Sequence, residues 1–272
     1  MPTHGLAPVD TRAVQVVALC AFCARVPHCR PLRNLYYDSA ERFHITSSPT
    51  HRLISRKSVK LEQQTQPATE LKTGTTTVGL VAKDCVVLAS DQRATMGYLI
   101  ANKTAKKIYK ITDRIGATIA GSVADAQAMM DLLKAEAKLF EIERGKPIRV
   151  KALTKLLSNI LFQGRGMYLL QCLVGGFDEE GPQVFYTDFI GSVLPDKFTA
   201  TGSGSPYALG VLESGYKDDL PKKKAIELAV RAVAAAIERD AASGNSILVS
   251  VIDKEGYQEV DRDTILKIWK GE

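Results

Sequence analysis

The stretch Lys72-Thr73-Gly74-Thr75-Thr76-Thr77-Val78-Gly79 opens the ordered-looking body of the chain and runs on to Ser90. Thr76–Val81 and Cys85–Ser90 are both rich in Val, Leu and Thr, and Ala82-Lys83-Asp84 separates them. Two β-favouring runs with a short polar break between them predict a tight hairpin. The threonine cluster admits two readings. Threonine favours strands and glycine interrupts them, so the cluster can be a plain strand start. Alternatively, Gly74 offers an unshielded carbonyl to the hydroxyl of Thr75, and cleavage between them would free an α-amino group. Such an amine, with a pKa of about 7.7–8.0, accepts protons near neutrality.

Downstream, Lys107–Thr112 and Ala117–Ala120 form a second strand pair around a turn at Asp113–Gly116. Ser122 caps a long helix over Val123–Arg144, with Asp125 in its first turn and Gly145 just past its end. Along it Ala126, Met129, Met130, Leu133, Ala137 and Phe140 recur at helical spacing and predict one buried stripe. A second helix spans Val150 to Phe162. Strand-like runs follow at Leu169–Phe177, Gln183–Asp188 and Lys197–Thr201, then helices at Ser205–Ser214 and Lys222–Ala242. Ile247–Ile252 forms a last strand, and a turn at Lys254-Glu255-Gly256 leads to a terminal segment. Strands and helices come in groups rather than in strict alternation. That order predicts an α+β fold, with two stacked sheets each covered by helices in a four-layer αββα sandwich. Residues 75–272 form one domain on this reading.

Residues 1–74 differ from that body. They hold ten Lys or Arg against five Asp or Glu, whereas the remainder holds 26 against 25. The body is therefore close to neutral and presents no electrostatic case for nucleic-acid binding. Glu62–Thr73 is polar and reads as an exposed linker, so residues 1–74 are expected to be a largely disordered leader that is removed. An assembly propeptide, a misassigned start and an addressing segment all fit such a leader. Val14–Ala24 is apolar over a signal-peptide length, but Asp10 weakens the positive flank. No apolar run is long enough to cross a bilayer.

All four histidines (His4, His28, His44 and His51) precede residue 52. A histidine-based triad or a histidine-ligated metal is thereby excluded from the body. Any hydrolytic base there must be a lysine, a carboxylate or an α-amino group. Cys20, Cys23, His28 and Cys29 make only a loose metal pattern, and Cys85 and Cys172 lie in apolar runs that suit small buried hydrophobes. No metal and no organic cofactor is expected.

Several separated blocks resemble archaeal proteasome β subunits: TTTVGL (75–80), LASDQRATMG (88–97), KTAKKIYKI (103–111), IAGSVADAQ (119–127), LLSNILFQ (156–163), LVGGFD (173–178), TGSGSPYALGVLESGY (201–216) and ERDAASGN (238–245). The resemblance covers residues 72–272. It implies an N-terminal-nucleophile hydrolase fold and a threonine endopeptidase activity. It assigns Thr75 as nucleophile, exposed by cleavage after Gly74. It assigns Lys107 as the active-site lysine, Asp91 as the acid that orients it, and Gly121 as the oxyanion-binding glycine. Ser203, Asp240 and Ser243 fall on the positions that support the Thr75 amine, and Arg93 sits in the same matching block. Ala94, Ala105, Ile119 and Val123 fall on positions lining the primary specificity pocket. All four are small or apolar, which implies cleavage after hydrophobic residues. Asp91 and Gln92 depart from the Glu and Arg common in relatives, but an aspartate serves equally to pair Lys107. The resemblance further implies heptameric β rings, α-subunit partners, a regulatory ATPase, unfolded-protein substrates and a cytoplasmic location. It implies neither nucleic-acid nor membrane partners. A non-catalytic structural subunit of the same ring is the alternative.

Overall fold

The computed structural model describes residues 74–272. The leader, the Cys20–Cys29 cluster and Val14–Ala24 lie outside them.

The hairpin at the start of the body forms. Strand β1 (Thr77–Val81) pairs antiparallel with β2 (Cys85–Asp91), with Thr77 opposite Ser90 and Val81 opposite Val86. The alternation of β2 sets the layers. Val87 and Ala89 face one helical layer, and Val86 and Leu88 face the opposing sheet. Both faces of the strand are thus apolar and both are buried, which a two-sided environment requires.

Strands β3 (Ala94–Met96) and β4 (Leu99–Asn102) make a small separate hairpin that the sequence reading did not assign. Its segments are only three and four residues long and largely exposed, too short for a period to emerge. Strand β5 (Ile108–Thr112) and β6 (Ile115–Gly121) follow as expected.

Helix α1 (Val123–Arg144) begins at Ser122, whose Oγ accepts from Asp125 N–H, and stops at left-handed Gly145. Its buried face is Ala126, Met129, Met130, Leu133 and Ala137; Phe140, at the end of the expected stripe, is only half-buried. Helix α2 (Val150–Gly164) has Arg149 at its N-cap, which offers no side-chain bond. Asp178, distant in sequence, instead accepts the Val150 N–H at 3.0 Å. A cap supplied from another element satisfies the same orphan donor that a local serine would.

Strands β7 (Leu170–Asp178), β8 (Gly181–Thr187) and β9 (Val193–Asp196) extend the β5–β6 pair into a five-stranded antiparallel sheet in chain order. Strand β9 lies between the strand-like runs expected at Gln183–Asp188 and Lys197–Thr201. Strand β10 (Phe198–Thr201) crosses to the other sheet and pairs with β1. Helices α3 (Ser205–Gly215) and α4 (Lys222–Arg239) then cover that sheet. Helix α4 ends at Asp240 rather than continuing to Ala242, because Asp240 leaves helical geometry to bond Ala242 N–H and two serines. Strands β11 (Ile247–Asp253) and β12 (Gly256–Glu259) complete the order β10-β1-β2-β11-β12. The terminal segment is a helix, α5 (Arg262–Lys270), capped by Asp261.

Three apolar cores separate four layers. One lies between α3–α5 and the first sheet, another between α1–α2 and the second sheet. The third, between the sheets, contains Val86, Leu88, Ile108, Val184 and Ile252. The fold is an α+β sandwich of the αββα kind. Cys85 and Cys172 are free and buried in it. Among the described residues no helix is long and apolar enough to cross a membrane.

Candidate active site

The sheet order brings one set of strand ends together. Strand β1 begins where its antiparallel partners β2 and β10 end, and where β11 begins. Across the cleft, β5 begins where β6 ends. Thr75, Asp91, Lys107, Gly121, Ser203 and Ser243 all sit at or beside those ends, and Asp240 follows α4 into the same region.

Asp91, the last residue of β2, is fully buried and saturated. Its Oδ1 accepts from Lys107 Nζ at 2.7 Å and Thr76 N–H at 2.9 Å; its Oδ2 accepts from Arg93 N–H at 3.0 Å and Gly244 N–H at 2.9 Å. Four donors use the full accepting capacity of one carboxylate. Lys107 is 4% exposed. Burial lowers its pKa from the ordinary lysine value; Asp91 opposes that shift by charge and hydrogen bond, Asp240 adds to the opposition, and Arg93 works against it. A buried ammonium without its carboxylate would be unfavourable, so the pair is a unit.

Thr75 and Gly74 stand beside this pair. Thr75 Oγ donates to Gly74 O at 2.6 Å, and Lys107 Nζ donates to the same oxygen at 3.4 Å. Gly74 N–H donates to Thr95 Oγ1 at 2.8 Å. A Cβ on Gly74 would lie 1.8 Å from the Ala242 Cβ. Glycine is therefore required here by contact, a reason distinct from the bare carbonyl invoked above.

A polar chain supports the Thr75 nitrogen. Thr75 N–H donates to Ser203 Oγ at 3.2 Å, and Ser203 Oγ donates to Asp240 Oδ2 at 2.6 Å. Ser243 Oγ donates to the same Asp240 oxygen at 2.6 Å and lies 2.7 Å from Thr76 Oγ1. Thr75 O receives Gly204 N–H at 3.3 Å. Arg93 meets Asp91 through its backbone only. Its guanidinium instead bonds Asn245 Oδ1 and Ala241 O, holding the 241–245 loop against the site.

A cavity of about 390 Å³ opens beside Thr75. Ala94, Ala105, Ile119 and Val123 line it, together with Gly74, Gly121, Thr95, Tyr109 and Gln127. Gly121, at the end of β6, has φ +123°, and a Cβ there would stand 2.1 Å from Leu169 O. Only glycine meets both conditions without strain.

The structure thus brings together the residues that the resemblance singled out for the site. Thr95, Thr76, Tyr109, Gln127 and Gly244 join them without having been singled out. Gly244 acts through its backbone N–H, which carries no side-chain signal, and Thr76 through its N–H and through a hydroxyl 2.7 Å from Ser243 Oγ. Thr95 belongs to the unassigned β3, and Tyr109 and Gln127 read as ordinary strand and helix residues. Among the described residues no group of three or more His, Cys, Asp or Glu side chains could hold a metal ion.

Comparison with known proteins gives a consistent picture. A family model described as "Proteasome subunit" matches residues 71–252. The chain is 53% identical to a "Proteasome subunit beta" of Methanospirillum hungatei over 194 residues, 71% of this chain and 93% of that protein. It is 52% identical to that of Methanocaldococcus fervens over 198 residues, covering 72% and 88%. With that of Methanopyrus kandleri it shares 46% over 203 residues, covering 73% and 97%. The chain belongs to the proteasome subunit family, and these relatives are β subunits.

Proposed function

We propose that this chain is a catalytic β subunit of a proteasome core particle, made as a precursor and activated by its own Thr75. One observation carries the reading: Thr75 Oγ lies 2.6 Å and Lys107 Nζ 3.4 Å from the carbonyl oxygen of Gly74. The hydroxyl sits against the carbonyl group it would attack, and an ammonium is placed to polarise that carbonyl. In self-cleavage, Thr75 Oγ bonds to the Gly74 carbonyl carbon. The Gly74–Thr75 C–N bond breaks, and the hydroxyl proton ends on the departing nitrogen. Water then hydrolyses the resulting ester, leaving a Gly74 carboxylate and a free Thr75 amine. Residues 1–74 are the leader removed by this step, and residues 75–272 the mature catalytic domain.

The same groups then serve peptide hydrolysis. Thr75 Oγ attacks a substrate carbonyl while the Thr75 amine takes its proton, held by Ser203, Asp240 and Ser243. Lys107, oriented by Asp91, stabilises the developing negative charge on the hydroxyl oxygen. The carbonyl oxygen becomes an oxyanion beside the Gly121 N–H. The amine product takes the proton as it leaves, and water resolves the acyl ester. The small apolar walls Ala94, Ala105, Ile119 and Val123 favour hydrophobic side chains, because a charge loses its water against them; Asn102, Thr104 and Lys106 are polar residues of the same cavity.

The family supports heptameric β rings enclosed by α-subunit rings, a regulatory ATPase feeding unfolded chains, and a cytoplasmic setting. The test is the intact mass and N-terminal sequence of the chain co-produced with its α partner. Wild type is expected to begin at Thr75, and Thr75→Ala to retain Gly74 and the leader. A wild-type assembly that keeps Gly74 would make the chain a structural subunit of the ring.

A further inference from the structure

The backbone around Gly121 is held by a contact that the mechanism above does not use. Leu169 lies just before β7, and Leu170 pairs with Gly121 in the sheet. Leu169 O accepts Ser122 N–H at 2.8 Å and sits where a Gly121 side chain would be. Leu169 N–H donates to Asp125 Oδ2 at 3.1 Å. The Leu169 side chain is 58% exposed, so apolar packing does little to hold this residue. Asp125 and Ser122 are both at the start of α1, and Ser122 Oγ in turn accepts Asp125 N–H. The result is a closed clasp: helix start to Leu169, Leu169 against Gly121, Gly121 back to the helix start.

We propose that Asp125 is a positioning residue for Gly121. It acts through Leu169 to keep the Gly121 N–H aimed at the oxyanion, and so rests on the catalytic reading given above. An oxyanion donor is effective only when its direction is set before charge develops. A displacement of about 1 Å at such a site can cost on the order of 100-fold in rate. Asp125 removes one degree of freedom from a glycine that has no side chain of its own to fix it. An acid in a first helical turn also interacts with the helix dipole. That role alone would need the charge and not the bond to Leu169.

The two roles separate experimentally in the full chain assembled with its α subunits. Wild type, Asp125→Asn and Asp125→Ala are compared on a fluorogenic peptide. They are also compared on a peptide aldehyde, which adds to Thr75 and places an oxygen at Gly121, and on the matching peptide alcohol, which does not. Asp125→Ala is expected to lose about tenfold in kcat with KM within about twofold, and about tenfold in aldehyde affinity with alcohol affinity unchanged. Asp125→Asn, which keeps an acceptor oxygen without the charge, is expected to stay within about threefold of wild type on both. If Asp125→Ala does not assemble, Asp125→Glu is read on the same ratio. It keeps the charge and displaces the oxygens, and is expected to lower the aldehyde-to-alcohol preference. A wild-type preference in Asp125→Ala or Asp125→Glu overturns the proposal, as does an Asn variant no better than Ala. Inactive wild-type assemblies would instead refute the catalytic reading itself.

Discussion

Lys107 Nζ lies 2.7 Å from Asp91 Oδ1, and both side chains are buried. The carboxylate has no spare lone pair, and among the described residues the ammonium has no other carboxylate within bonding distance. Removing Asp91 therefore leaves an uncompensated buried charge and frees the N–H groups of Thr76, Arg93 and Gly244. Asp91→Ala is expected to cost about 3–5 kcal/mol in folding free energy, read by denaturant unfolding. Asp91→Asn, which keeps the shape and part of the hydrogen bonding, is expected to cost less. Both are expected to lower peptide hydrolysis by about 100-fold or more, since Lys107 loses its orientation.

Burial lowers the Lys107 pKa below 10.5, although Asp91 opposes the shift. The folded chain then releases this proton before the unfolded chain does. Between the lowered value and 10.5 the unfolded state holds more protons, so this residue makes stability rise with pH. Below that window the cost of burying the ammonium is present in full. Wild type is expected to gain stability relative to Lys107→Met as pH is raised through the window, measured by urea unfolding of both at matched pH. A constant gap would show that Lys107 does not titrate there.

Gly74 meets Ala242 so closely that a methyl group cannot be added without movement. Gly74→Ala is expected to displace the Gly74 carbonyl, the one proposed for self-cleavage, from both Thr75 Oγ and Lys107 Nζ. Self-cleavage is expected to slow by about 100-fold, followed by the loss of precursor mass with time. The mature body is expected to unfold at an unchanged temperature, because residue 74 is not part of it after cleavage.

The Cys172 thiol is pushed up to about 12 by burial, and burial is the main cause raising Cys85 to about 11. Thiolate is the reactive form. At pH 8 neither is expected to react with iodoacetamide in the native assembly, and both are expected to react in urea. Peptide mapping by mass spectrometry separates the two sites. Native labelling at Cys172 would contradict its burial between the second sheet and its helices.

Much of the fold was legible because its signals are local. Ser122, Asp125 and Gly145 mark both ends of α1 within a turn of where they act. The β-favouring run Cys85–Ser90 and the polar break at Ala82–Asp84 marked the first hairpin. Signals were weakest where segments are short or where the partner is distant. The β3–β4 hairpin has too few residues for a period, and Arg149 gave no hint that Asp178 caps α2. At the site, the blocks resembling a known family located Ser203, Asp240 and Ser243; spacing alone would have left a glycine-rich turn and a helix end.

The sequence by itself determined most of the longer strand and helix segments, the lack of histidine in the body and the Gly74-Thr75 junction. Each is a property of one residue or of neighbours a few positions apart. Only the tertiary structure decided that Asp91 saturates its four acceptor sites and that Asp240 reaches Thr75 through Ser203. It alone decided that Asp125 holds Leu169 over Gly121. Those contacts join residues brought together by sheet order β10-β1-β2-β11-β12 and by the stacking of a second sheet on it. Strand order is set by burial summed over the whole sandwich, a sum to which no single segment holds the answer.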